Sequence, residues 1–379
     1  MARRALALTF AVVLASIASA QELRFYYPAP PAGSIEALMD RAYGTPANEL
    51  RMDVFRPANA ARPLPALIFF NMATGAQRAN PFYKTWAEIA ASKNLVAILP
   101  DLRSEGFEQD FEALVAHLTT NAAALGIDRE RVAVYAGSGN VSRALPIVQN
   151  PKQTAIKAAV MYYGAAPITT FRRDLPLLVV RAGLDRPPLN RALADLVALA
   201  IGQNAPLTFV NYSGGHHAFE IFNDEEATRE VIDRTIDFVH RATEPAYQAS
   251  IRRGVPEATA AAHMTGGSFA DAVAAYADLV KSRPDDPRLR LAYGEALLGA
   301  SRFADACAEL AKLKGKGLGP RDLGVPAARS CMQMGDGDAA LAWLATIPQR
   351  FLPRDLEKDP IFAPIRTRPE FRALFEEKR

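Results

Sequence analysis

The chain has 379 residues, half of them hydrophobic and 22% charged, with a formal net charge of +3. That length suits two domains and that composition suits a buried core, which excludes a wholly disordered or fibrous chain. Arg3 and Arg4 carry two of the charges, and no basic stripe interleaved with aromatics appears, so nothing points to nucleic acid.

The two arginines precede an apolar run over residues 5–17, and Ala18-Ser19-Ala20 then offers small side chains before Gln21. The pattern predicts a cleavable signal peptide, residues 1–20, and a periplasmic or secreted mature protein. A membrane anchor is the lesser reading, because the run is short for a spanning helix, and no stable membrane insertion is expected.

Residues 21–245 read as one α/β domain. Leu50-Arg51-Met52-Asp53-Val54 alternates as a half-exposed strand does. Ala66-Leu67-Ile68-Phe69-Phe70 and Leu95-Val96-Ala97-Ile98-Leu99 are continuously apolar, and residues 132–135, 158–163, 177–180 and, apart from Thr208, 207–210 read the same way. Such runs suit strands covered on both faces of a parallel sheet. Helical spacing fills the gaps at residues 81–92, 107–125, 189–201 and 225–240. The alternation predicts a doubly wound, mostly parallel sheet with its ligand site at the strands' C-terminal edge.

Three of those strands end in residues of one chemistry. Ser138 follows residues 132–135 in Ala136-Gly137-Ser138-Gly139-Asn140, where small neighbours allow a tight strand-to-helix turn that exposes the hydroxyl. Asn140 replaces the usual glycine there, and its tolerance of unusual backbone angles keeps the turn feasible. Asp185 ends Leu177-Leu178-Val179-Val180-Arg181-Ala182-Gly183-Leu184-Asp185, and His217 follows the last strand in Gly214-Gly215-His216-His217-Ala218-Phe219. Serine, acid and histidine in that order suit a nucleophile, an orienting carboxylate and a general base. The competing readings are a turn-capping serine, a helix-capping aspartate ahead of Pro187-Pro188, and His216 in place of His217. The His-His pair lacks further ligands at matching spacing, so no metal and no cofactor is expected.

After Pro245 the strands stop, and residues 246–379 read as an all-α domain. Ala272, Ala306 and Ala340 recur at 34-residue intervals, in register with Gly267, Ser301 and Gly335, with Tyr276, Leu310 and Leu344, and with Ala260, Gly294 and Ala328. The period and the stretch Phe269-Ala270-Asp271-Ala272-Val273-Ala274-Ala275-Tyr276 resemble tetratricopeptide repeats, over roughly residues 253–352. That resemblance implies a protein or peptide partner, or contacts to the other domain. An alanine-rich bundle is the alternative. Cys307 and Cys331, the only cysteines, could pair if their helices bring them within reach, but two buried apolar residues are the simpler reading.

Taken together, residues 50–243 resemble the α/β-hydrolase fold, most closely its dienelactone-hydrolase-like branch, through the order Ser138, Asp185, His217 and the His217-Ala218-Phe219 motif. The resemblance implies an eight-stranded sheet and cleavage of an ester or lactone through an acyl-enzyme. It also implies oxyanion donors at the N–H groups of Gly139 and Met72, although Asn71-Met72 replaces the usual His-Gly. The short stretch between Gly164 and Pro176 leaves no room for a lid, which favours small or polymer-borne esters. Arg172 and Arg173 on that stretch read as solvated loop charges, or else as attractors of an acidic substrate. A hydrolase-like scaffold without activity, serving as a protein-binding module, is the second reading, motivated by Asn140 and Asn71-Met72.

Overall fold

The computed structural model of the chain describes residues 24–45, 48–71 and 78–376. The expected signal peptide and Met72 lie outside the described residues. Two compact units emerge, one running to Arg252 apart from Gly202–Asn204, the other comprising those three residues and Arg253–Arg379. The expected boundary at Pro245 is the first residue of a helix, Pro245–Thr265, within which the division falls.

The first unit is built on eight strands: β1 Ile35–Thr45, β2 Asn48–Pro57, β3 Leu64–Phe70, β4 Val96–Pro100, β5 Ile127–Gly137, β6 Ile156–Tyr162, β7 Leu177–Ala182 and β8 Leu207–Tyr212. Its helices are α1 Pro81–Ser92, α2 Phe107–Thr120, α3 Ala122–Leu125, α4 Val141–Gln149, α5 Pro187–Gly202, α6 Phe219–Phe222 and α7 Glu226–Thr243. The strands form one sheet in the order β1-β2-β4-β3-β5-β6-β7-β8. β2 is antiparallel to both β1 and β4, and every other pairing is parallel.

Alternation along the strands divides the core in two. Ile68, Phe70, Val134, Ala136, Ala159 and Met161 face a layer that includes Phe111 and Leu114 of α2, Leu145 of α4 and Leu196 of α5. Leu67, Phe69, Ala133, Tyr135, Val160 and Tyr162 face the opposite layer, with Trp86 and Ile89 of α1 and Ile232 and Val239 of α7. Burial on both faces is the physical reason these strands read as unbroken apolar runs.

Three elements depart from the sequence reading. β1 has no clean alternation, because a register shift between Leu38 and Arg41 interrupts it and Asp40 takes a φ of 56° there. The helix expected over residues 107–125 breaks at Asn121 into α2 and α3. α4 was hidden by Pro146 inside it.

The helix Pro245–Thr265 is α8, and in the second unit it is followed by α9 Phe269–Ser282, α10 Pro287–Gly299, α11 Phe303–Ala311, α12 Pro320–Gln333, α13 Gly337–Leu344 and α14 Pro369–Ala373. From α9 to α13 each helix packs on the next in sequence. Ala272, Ala306 and Ala340 are wholly buried, and Gly267, Ser301 and Gly335 turn through left-handed φ values of 72°, 59° and 80°. A Cβ on Gly294 would lie 2.6 Å from Leu310, so α10 and α11 approach closely there. The thiols of Cys307 on α11 and Cys331 on α12 are free, with their Sγ atoms 3.4 Å apart.

Candidate active site

β5 ends at Gly137, and one short turn, Ser138–Asn140, leads directly into α4. Ser138 itself takes the left-handed φ of 56°. Gly137 sits tightly packed, since a Cβ there would lie 3.3 Å from the Tyr135 hydroxyl and 3.5 Å from that of Tyr163. Gly139 faces open space and is not sterically required. Its place in the first turn after Ser138 puts its N–H among those that a helix start leaves without intrahelical partners.

Asn140 corrects the sequence reading. Its backbone is ordinary right-handed helix (φ −66°, ψ −26°), so tolerance of unusual angles plays no part. The buried side chain instead donates Nδ2–H to the Tyr83 hydroxyl at 2.8 Å, tying the turn to α1. Asn71, at the end of β3, is also buried.

The loops after β7 and β8 are pinned together by backbone. Gly183 N–H donates to Tyr212 O at 2.7 Å and Leu184 N–H to Gly215 O at 2.9 Å. A Cβ on Gly183 would come within 2.2 Å of Ser213 O, so only glycine permits that approach. The pinning delivers Asp185 from one loop and His217 from the other. His217 Nδ1 lies 2.6 Å from Asp185 Oδ2, and His217 Nε2 lies 2.8 Å from Ser138 Oγ. The tautomer with its proton on Nδ1 satisfies both bonds, leaving Nε2 to accept from the serine hydroxyl.

The carboxylate side chain is only 2% exposed, whereas the imidazole is 31% exposed. Burial alone pushes Asp185's carboxyl up, but hydrogen bonds from His217 and the Arg186 N–H outweigh it and hold the group below its ordinary range. Asp185 therefore stays ionised at neutral pH. His216 is spent elsewhere: its N–H and Nδ1 both meet Asn223 Oδ1, at 3.0 and 3.1 Å, which fastens the loop to the segment after α6. Ala218 follows His217 with a φ of 57°.

Arg172 fits neither of its two readings, a solvated loop charge or an attractor of an acidic substrate. Its guanidinium is 6% exposed and binds Asp174, Val148 O and Gln153 O, fastening the connection between β6 and β7 to the end of α4.

Sequence reasoning missed a polar cluster beside the site. Glu220, fully buried in α6, accepts from Trp86, Tyr135 and Tyr163, and the Tyr163 ring lies against His217. Trp86 lies in an expected helix and Tyr135 in an apolar strand run, and Glu220 lies outside every element the sequence predicts. The faint available signal was a carboxylate inside the apolar stretch Phe219-Glu220-Ile221-Phe222. Among the described residues no group of three or more His, Cys, Asp or Glu is placed to hold a metal ion.

No protein-family model and no curated protein matches the chain. It is similar to solved esterase structures at low identity. A thermostable esterase from Pseudomonas putida is 14% identical with a TM-score of 0.48, over 56% of this chain and 84% of that one. A structure from work on two fungal esterases of Rhizomucor miehei is 15% identical with a TM-score of 0.48, over 57% and 86%. Brefeldin A esterase, a bacterial homologue of human hormone-sensitive lipase, is 18% identical with a TM-score of 0.45, over 55% and 78%. Eight strands in the order β1-β2-β4-β3-β5-β6-β7-β8, with β2 alone reversed and helices on both faces, give the first unit the α/β-hydrolase fold.

Proposed function

We propose that the chain is a serine hydrolase of the dienelactone-hydrolase-like kind, cleaving an ester or lactone through an acyl-enzyme. The observation that carries this is the unbroken chain of short contacts from Ser138 Oγ through His217 to the buried Asp185. Ser138 Oγ attacks the carbonyl carbon while His217 Nε2 takes its proton, and Asp185 steadies the resulting imidazolium. The tetrahedral oxyanion is held by the N–H of Gly139 and by a second donor that the family resemblance implies at Met72. His217 then protonates the departing alkoxide. Water, deprotonated by the same nitrogen, releases the acid.

The motif His217-Ala218-Phe219 and the short connection between β6 and β7 support the finer assignment and an accessible, small or polymer-borne ester. Asn140 lends no support to an inactive scaffold, because its backbone is undistorted and its side chain has a use. Export to the periplasm or beyond, with cleavage after Ala20, rests on the sequence of residues 1–20. For the helical unit we infer tetratricopeptide-like repeats that engage a protein or peptide. The shared left-handed turns at Gly267, Ser301 and Gly335 and the packing of successive helices support it.

A fluorophosphonate probe tests the central claim. Wild-type protein should be labelled on Ser138 and should hydrolyse p-nitrophenyl acetate, and Ser138→Ala should do neither. Full activity in the alanine variant, or no labelling of folded wild type, overturns the reading.

A further inference from the structure

His217 is held from two sides. Asp185 grips Nδ1, and the Tyr163 ring lies against the imidazole with centroids 4.8 Å apart and planes inclined by 55°. Tyr163 is the first residue beyond β6, and its φ of 35° is unusual for an aromatic residue. At the next position, Gly164, a Cβ would lie 2.4 Å from Ser138 O, so the tip of β6 passes hard against the serine's turn.

A costly backbone conformation persists only where its surroundings over-determine it. Here Tyr163 N–H donates to Val180 O at 2.8 Å, and the phenol hydroxyl reaches both oxygens of Glu220 at 3.1 Å. Tyr135 and Trp86 donate to the same carboxylate at 3.2 and 3.3 Å. Burial nevertheless pushes Glu220 up to about 7, against the pull of those donors. An ionisable group in such a place is expensive, and an apolar side chain would fill the space at less cost. Its position is informative: three aromatic donors, from α1, from β5 and from just beyond β6, converge on it, and one of the three touches His217.

We propose that Glu220 is a positioning residue for His217 that acts through Tyr163. The carboxylate anchors the phenol hydroxyl, and the anchored ring sets the plane in which the imidazole meets Ser138 Oγ. The inference rests on the hydrolase reading above. Its consequence is specific, because an error in the imidazole's plane is felt when the proton moves and not when substrate binds.

The test uses the full mature chain as wild type, Tyr163→Phe, Glu220→Gln and the double variant. The fluorophosphonate labelling rate is measured for each, alongside kcat and KM on p-nitrophenyl acetate per labelled site. Tyr163→Phe keeps the ring and loses only the anchor, so kcat should fall ~10- to 100-fold with KM little changed. Glu220→Gln keeps one acceptor oxygen for the phenol and should lose less than Tyr163→Phe, and the double variant should match Tyr163→Phe, since the acid acts only through the hydroxyl it anchors. Multiplicative losses, or single variants with wild-type rates per labelled site, overturn the inference alone. A variant that only melts earlier while its labelled sites turn over normally does the same, because that is a structural role. If Glu220→Gln fails to fold, Tyr163→Phe decides by the same criteria. Folded wild type that takes no label overturns the hydrolase reading and this inference with it.

Discussion

Asp185→Asn is the sharpest single perturbation of the site, because the structure dictates how the new amide would sit. Asp185 Oδ1 accepts the Arg186 N–H at 2.7 Å, while Oδ2 faces His217 Nδ1 at 2.6 Å. An asparagine keeps the first bond only by leaving its oxygen toward Arg186. Its NH₂ then points at His217 Nδ1, which must accept. The imidazole proton is forced onto Nε2, where it meets Ser138 Oγ and the nitrogen can no longer act as a base. The expected loss in kcat is about 10⁴-fold, or about 5.4 kcal/mol of transition-state stabilisation, with KM little changed. Initial rates on p-nitrophenyl acetate, divided by the sites that slowly take a fluorophosphonate label, give the number directly. A loss below about tenfold in folded protein would refute the claim that Asp185 sets the tautomer.

Other perturbations separate scaffold from chemistry. Arg172→Ala strands two main-chain carbonyls and should destabilise the first unit by about 1–3 kcal/mol without lowering kcat, as read by chemical denaturation. Arg172's hydrogen bond holds Asp174's carboxyl below its ordinary range, so Asp174 adds stability above its unfolded pKa and loses it as pH falls through its folded one. The wild type should therefore weaken on acidification below about pH 4, and the variant should show less of that loss. Ala218→Gly relieves a left-handed alanine and should raise stability by up to about 1 kcal/mol with activity kept within a few-fold; a drop in melting temperature would contradict the strain. Cys307 and Cys331 should close a disulfide by exchange with oxidised glutathione, lowering the mass by about 2 Da and consuming both thiols. Two thiols still titratable after prolonged exposure would show that α11 and α12 do not yield the remaining distance.

The frame of the first unit was legible because burial on both faces of a parallel strand writes itself as an uninterrupted apolar run. β3 through β7 all do so in whole or in part, whereas β8, at one edge of the sheet, is only partly covered. β1 was missed for the complementary reason: it lies at the sheet's edge, much of it is exposed, and a register shift between Leu38 and Arg41 breaks its period. The site's three principal side chains were legible for a topological reason. Each follows the C-terminal end of a strand that the hydrophobic pattern had already located, so a run's end and a reactive residue type suffice to nominate it. His216 and His217 illustrate the limit. The two are equivalent by spacing, and what parts them is Asn223, which takes up His216 with one side-chain oxygen.

Residues that act through partners distant in sequence leave no such trace. Asn140 looked like a defect in the serine's turn because a local pattern expects a small residue there. Its role becomes visible only when α1 brings Tyr83 within 2.8 Å, from 57 positions earlier in the chain. Glu220 is the stronger case. Its donors Trp86, Tyr135 and Tyr163 lie 134, 85 and 57 positions away, and each of them alone reads as apolar core. Hydrophobic periodicity treats a tyrosine or a tryptophan as a filler of space, which is true of the ring and blind to its hydroxyl or N–H. The first unit thus uses one layer of aromatic side chains twice, with rings packing α1 and α7 onto the sheet while their polar ends converge on a single carboxylate beside His217. Packing alone would be indifferent to exchanging those tyrosines for phenylalanines. The converging hydroxyls are not, and that difference is what kinetic comparison of the two side chains measures.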